Sequence, residues 1–161
     1  MEPLNVTAFQ AIQAILAPAL GISAVGLLLL ALNNRYSTII NRIRLLNDEK
    51  RRFHKLIADN VELNYTEQAR YQSIRNQTEG LLMRSRLIRN AILSLQTSIA
   101  LFVITSVAIG LNFFVSTEAF YSTTLVIFVG GMVCVLVGIM FAAIEIIRSF
   151  KIVLIEVNAE E

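Results

Sequence analysis

Three long apolar runs dominate the chain, separated by one long polar stretch and one short polar loop. The runs are 11–32 (AIQAILAPALGISAVGLLLLAL), 91–114 (AILSLQTSIALFVITSVAIGLNFF) and 121–147 (YSTTLVIFVGGMVCVLVGIMFAAIEII). A bilayer core about 30 Å thick is crossed by roughly 20 apolar residues of helix. Each run therefore predicts a transmembrane helix. None contains Lys, Arg or Asp, and the one acid, Glu145, lies close to an end.

The polar stretch 33–90 is patterned rather than random. From Ile39, apolar residues recur at Ile43, Leu46, Phe53 and Ile57, with Ile40 and Leu56 beside them. A second run follows at Tyr71, Ile74, Thr78, Leu81, Ser85, Ile88 and Ile92. Both have near-heptad helical spacing. Between them lies ADNVELNYTE, where Asn64 precedes Glu67 by three residues, as in a helix N-terminal capping box with Asn in place of Ser or Thr. The pattern predicts that the first helix continues to about Ala58, turns, and returns into the second span. Each arm would project roughly 35–40 Å at 1.5 Å per residue. Narrow apolar stripes and only three spans favour packing of copies into a homo-oligomer.

The expected fold is thus an all-α membrane protein of three transmembrane helices with a long cytoplasmic helical hairpin. Its divisions are an external N-terminus and first span (1–32), the hairpin (33–90), the second span (91–114), an external loop (115–120), the third span (121–147) and a cytoplasmic tail (148–161). Composition agrees with this picture. The 161 residues are 55% hydrophobic with mean hydropathy +0.63, above the usual soluble range of about 45–50%.

Charge placement sets the expected orientation. Twelve of the fourteen Lys and Arg residues lie between Arg35 and Arg89, and Arg148 and Lys151 follow the third run. By the positive-inside rule the hairpin and C-terminus are cytoplasmic and the N-terminus is outside. The start MEPLNVTAF lacks a positive n-region, so the first span is expected to be retained.

Several in-span residues are candidates for function. Ser98, Thr105 and Asn112 recur at seven-residue steps on the second span, with Ser94 one turn before Ser98. Such hydroxyls either bond their own helix backbone as silent glue or line a water-filled path. Gly130, Cys134, Gly138 and Ala142 recur at four-residue steps on the third span, a spacing that lets helices approach closely. Gln13, Ala17, Gly21, Ala24, Leu28 and Ala31 share a face of the first span beside Pro18 and would pack a neighbour or widen a pore. Glu145 needs a partner at its depth. Arg148 three residues on is expected to form that buried pair, with Arg35 and Arg89 as alternatives.

The basic residues at the roots of the hairpin, Arg35, Arg42, Arg84, Arg86 and Arg89, suit anionic lipid headgroups or the cytoplasmic mouth of a pore. The pairs Asn34-Arg35 and Asn41-Arg42, seven residues apart, mark the inner boundary of the first span. No nucleic-acid motif, phosphate-binding glycine loop, metal-ligand spacing or nucleophile motif is present, so neither enzyme activity nor a cofactor or metal is expected. His54 stands alone, and Cys134, the single cysteine, sits in an apolar run.

These motifs together resemble the small bacterial membrane proteins grouped as domain of unknown function 2721. The first block is Ala17-Pro18, Gly26, the leucine run 27–30, Asn34-Arg35, and Arg42 with Arg44. The second is RSRLIRNAI, with Arg84, Arg86, Arg89 and Asn90; its Arg-Asn order reverses the expected Asn-Arg. The resemblance covers nearly the whole chain. It implies a multi-pass protein of the bacterial inner membrane and transfers no mechanism. The expected function is a homo-oligomeric, channel-like protein with membrane lipids and itself as partners. The alternatives are a non-conducting scaffold presenting the hairpin to a cytoplasmic protein, or a regulatory subunit of a transporter.

Overall fold

The computed structural model describes residues 8–58, 64–112 and 118–158, with side chains placed for 12–58, 64–111 and 120–149. Three helices account for nearly all of them: α1 Ala8–Ala58, α2 Tyr65–Asn112 and α3 Glu118–Asn158. Each contains an 18-residue window apolar enough to cross a membrane, with mean hydropathy 2.4, 2.0 and 2.8 in chain order. Arg148 and Lys151 do not end α3, which runs on to Asn158. Nor does the short loop reach Phe120, because α3 already begins at Glu118.

Burial along each helix follows a seven-residue period. On α1, Pro18, Val25, Leu32, Ile39 and Leu46 are buried, with half-buried Ile22, Leu29, Tyr36 and Ile43 between them. This alternation of three and four residues is the seam of helices crossing near about +20°. On α2, Ile74, Ser85, Ile88, Leu95 and Phe102 form one seam, of which Ile74, Ser85 and Ile88 belong to the run visible in the sequence. A second α2 seam is Arg84, Ala91, Ser98 and Thr105, and α3 has Thr124, Gly131, Gly138 and Glu145. Two seams on α2 and one on each neighbour make α2 the most enclosed, with 28% of its apolar window buried against 17% and 11%.

The chain forms two compact units. The first comprises 1–32 with 90–141. Its centre is the Phe102 ring. One edge of that ring faces Gly131, where a Cβ would lie 2.7 Å from Cε1, and the other faces Gly21. Phe128 packs on it at a centroid distance of 5.6 Å. Gly138 lies so close to α2 that a Cβ would meet Leu95 Cγ at 2.8 Å and the Ala91 carbonyl at 3.3 Å. In lipid, where water does not drive apolar burial, such close approach is the main source of helix association.

The second unit comprises 33–89 with 142–161. Here α1 and α2 pair through Phe53 and Tyr71, ring centroids 6.1 Å apart, and through Arg70, which donates to both oxygens of Glu49 at 2.9 and 3.1 Å. The Arg70 guanidinium holds the Glu49 carboxyl below the usual carboxylate range. At the start of α2, Glu67 Oε2 accepts a bond from the Asn64 backbone N–H at 2.8 Å, the back-reaching half of the capping box.

Two glycines test this packing. Gly138→Val should lower stability by about 1–3 kcal/mol, the usual range for overpacking. Gly80→Ala, where a Cβ meets nothing within 4 Å, should raise it by about 0.5–1 kcal/mol by removing backbone freedom. Unfolding of the detergent-solubilised chain measures both.

Candidate functional site: a buried carboxylate between arginines

Glu145 continues the α3 seam seven residues beyond Gly138, and Arg84 begins the α2 seam seven residues before Ala91. Glu145 is fully buried. Arg84 Nε and Nη2 both donate to Glu145 Oε1, at 3.1 and 3.0 Å. Arg35 of α1 places Nη1 3.4 Å from Oε2. That contact is within ion-pair range but is not aligned as a hydrogen bond, and Oε2 has no hydrogen-bond partner among the described residues. One carboxylate thus links α1, α2 and α3.

The shared carboxylate corrects the expected Glu145–Arg148 pair. Arg148 is exposed and its Nη1 donates to Met83 Sδ at 3.6 Å instead. Arg84 captures the carboxylate because it lies on the seam facing α3. A residue three positions along the same helix is directed further around α3. The alternative Arg35 does reach Glu145, whereas Arg89 does not. Arg42, Arg86 and Arg89 are exposed and have no ion pair among the described residues.

The hydroxyl stripe is occupied internally. Ser98 is fully buried and donates to the Leu95 carbonyl at 2.7 Å; Thr105, 2% exposed, donates to the Leu101 carbonyl at 2.8 Å. Ser94 donates across to the Cys134 carbonyl of α3 at 2.8 Å. The structure places these three on the packed face of α2. The Asn112 side chain lies outside the described residues.

On α3, Gly138 and the Cys134 backbone touch α2 directly, and the Cys134 thiol is free and half-buried. Gly130 is looser, with Leu101 3.9 Å from where a Cβ would sit, and Ala142 is half-buried. Sequence reasoning passed over Gly131, whose backbone receives Phe102. It also passed over Arg84 as the partner of Glu145. Both were signalled by seven-residue steps from residues it did single out: Gly138 back to Gly131, and Ser98 back through Ala91 to Arg84.

The profile of the family described as "Protein of unknown function (DUF2721)" matches residues 15–155. The chain belongs to the DUF2721 family. The match includes all three members of the Glu145 cluster and both contact glycines of α3. No curated protein and no solved structure matches the chain.

Removing a single partner from a buried pair leaves an uncompensated charge, which costs about 3–5 kcal/mol. Arg84→Gln should approach that loss. Arg35, 43% exposed at its side chain, is screened by solvent, and Arg35→Gln should cost nearer the 0–1 kcal/mol of roughly surface-type pairs. Arg148→Gln should leave the midpoint unchanged within about 0.5 kcal/mol, as for surface substitutions generally. Unfolding midpoints of the three variants give the comparison.

Proposed function

We propose that the chain is a non-conducting membrane scaffold or adaptor. Its N-terminus lies outside, and the hairpin 33–90 and the C-terminus lie on the cytoplasmic side of a bacterial inner membrane. The hairpin is the part offered to a cytoplasmic protein. The observation that carries this reading is the internal occupation of the polar span residues. Ser94, Ser98 and Thr105 bond to helix carbonyls within the chain. The exposed span residues are mostly apolar, among them Leu20, Leu27, Leu125, Val129 and Leu136. Lipid is the natural solvent for such a surface, and a water-filled path is not. The hairpin, in contrast, exposes Arg42, Arg44, Arg51, Arg52 and Lys55. Catalysis has no part in this reading.

One observation favours the channel-like alternative. Gln13, Ala17, Ala24 and Ala31 of α1 are exposed, so apart from Gly21, which meets Phe102, this small-residue face is open among the described residues. Copies packing through it would form a homo-oligomer, and a pore on its axis would be lined by α1 rather than by the α2 hydroxyls.

Two measurements separate the readings. In a Cys134→Ser background, Asn64→Cys should react with a membrane-impermeant maleimide in inside-out vesicles and remain unlabelled in right-side-out ones. The reverse labelling would overturn the orientation. Purified protein in liposomes should pass no ions across a range of voltage, tension, pH and calcium. A flux abolished by Ala24→Leu would overturn the scaffold reading in favour of a pore built on α1.

A further inference from the structure

The Glu145 cluster has more positive charge than its carboxylate can neutralise. Arg84 and Arg35 both contact Glu145. Arg148 follows one turn later on α3 and contacts Met83, the chain neighbour of Arg84. Two guanidiniums thus contact one carboxylate, and a third stands on the next turn of α3, so basic groups outnumber the acid there. The three are not equivalent. Arg84 is engaged by Glu145 through two hydrogen bonds and is 25% exposed at its side chain. Arg35 holds a looser contact and is 43% exposed. Arg148 is exposed, and its Nη1 meets a thioether, a weak acceptor.

Arg35 and Arg148 lie at the ends of apolar runs: Arg35 is the third residue after Leu32, and Arg148 directly follows Ile147. Residues so placed sit at headgroup depth in a bilayer. Guanidinium is the side-chain group best matched to phosphate, because its planar fork of N–H donors meets two oxygens at once.

We propose that Arg35 and Arg148 bind the phosphate group of an anionic phospholipid headgroup, with the Glu145–Arg84 pair holding the helices that carry them. The Glu145 carboxylate and the lipid phosphate compete for Arg35. This division of roles separates the arginines in a way that a generally basic surface would not. It rests on the membrane placement proposed above.

The test uses the full chain in a neutral detergent. Its thermal midpoint is followed while mixed micelles of phosphatidylglycerol, mixed micelles of phosphatidylcholine, or inorganic phosphate at the same concentration are added. Phosphatidylglycerol should raise the midpoint, and the other two should not. Arg35→Gln should weaken the apparent affinity about fivefold, the factor for about 1 kcal/mol per basic residue near the surface. Arg148→Gln should do so to a similar extent and serves if Arg35→Gln does not fold. Arg51→Gln, at an exposed hairpin arginine away from the cluster, should bind as the unmodified chain does. Equal shifts with phosphatidylcholine, full reproduction of the shift by inorganic phosphate, or equal losses in the Arg51→Gln and Arg35→Gln variants would each overturn the site. Release of the chain from native membranes by alkaline carbonate without detergent would overturn the membrane placement as well.

Discussion

The contact between Glu145 and Arg84 constrains how α2 and α3 pack around it. A carboxylate enclosed by apolar helices loses its hydration, and only a well-placed cation with aligned donors compensates that loss. Glu145 is fully buried, and Arg84 brings two N–H donors to one of its oxygens. Rotating α3 by a fraction of a turn, or sliding it by one residue, would separate the pair. The charged contact therefore selects one register between α2 and α3. Apolar side chains in lipid discriminate among registers much less sharply.

The unit that holds the spans has its own close contact, where Ala91 is opposite Gly138. Ser94 meets the Cys134 carbonyl one turn on. The small residues of α3 allow the close approach, and the α2 hydroxyls, directed into the same seam, bond to carbonyls. Of the two readings that the sequence leaves open for this stripe, Ser98 and Thr105 take the geometry of the first, bonding to their own helix backbone. A hydroxyl can satisfy itself on its own helix, so its position alone does not report water.

The helices and their seams were largely legible in the sequence. Long apolar runs specify spans, and the four-three alternation from Tyr71 to Ile92 specifies the buried face of α2 through the polar stretch. The capping role of Glu67 at Asn64 followed from local spacing. The partner of Glu145 did not, because the nearest cation in sequence, Arg148, satisfies a local helical rule while facing elsewhere. Finding Arg84 requires extending the Ser98–Thr105 stripe backwards past the end of the apolar run, into residues that composition assigns to a different environment. Gly131 was hidden for a related reason: the four-residue series beginning at Gly130 is regular, but contact with Phe102 follows the seven-residue series through Gly138.

The central claim is that Glu145 and Arg84 act as one unit, and a double-mutant cycle with Arg84→Met and Glu145→Met measures this directly. Arg84→Met leaves the buried carboxylate with the looser Arg35 contact alone, and Glu145→Met leaves Arg84 without its acceptor, whereas the double variant replaces both with apolar side chains of similar length. The double variant should be destabilised far less than the sum of the singles, with a coupling energy of about 1–3 kcal/mol. Additivity within about 0.5 kcal/mol, the behaviour of independent sites, would contradict it.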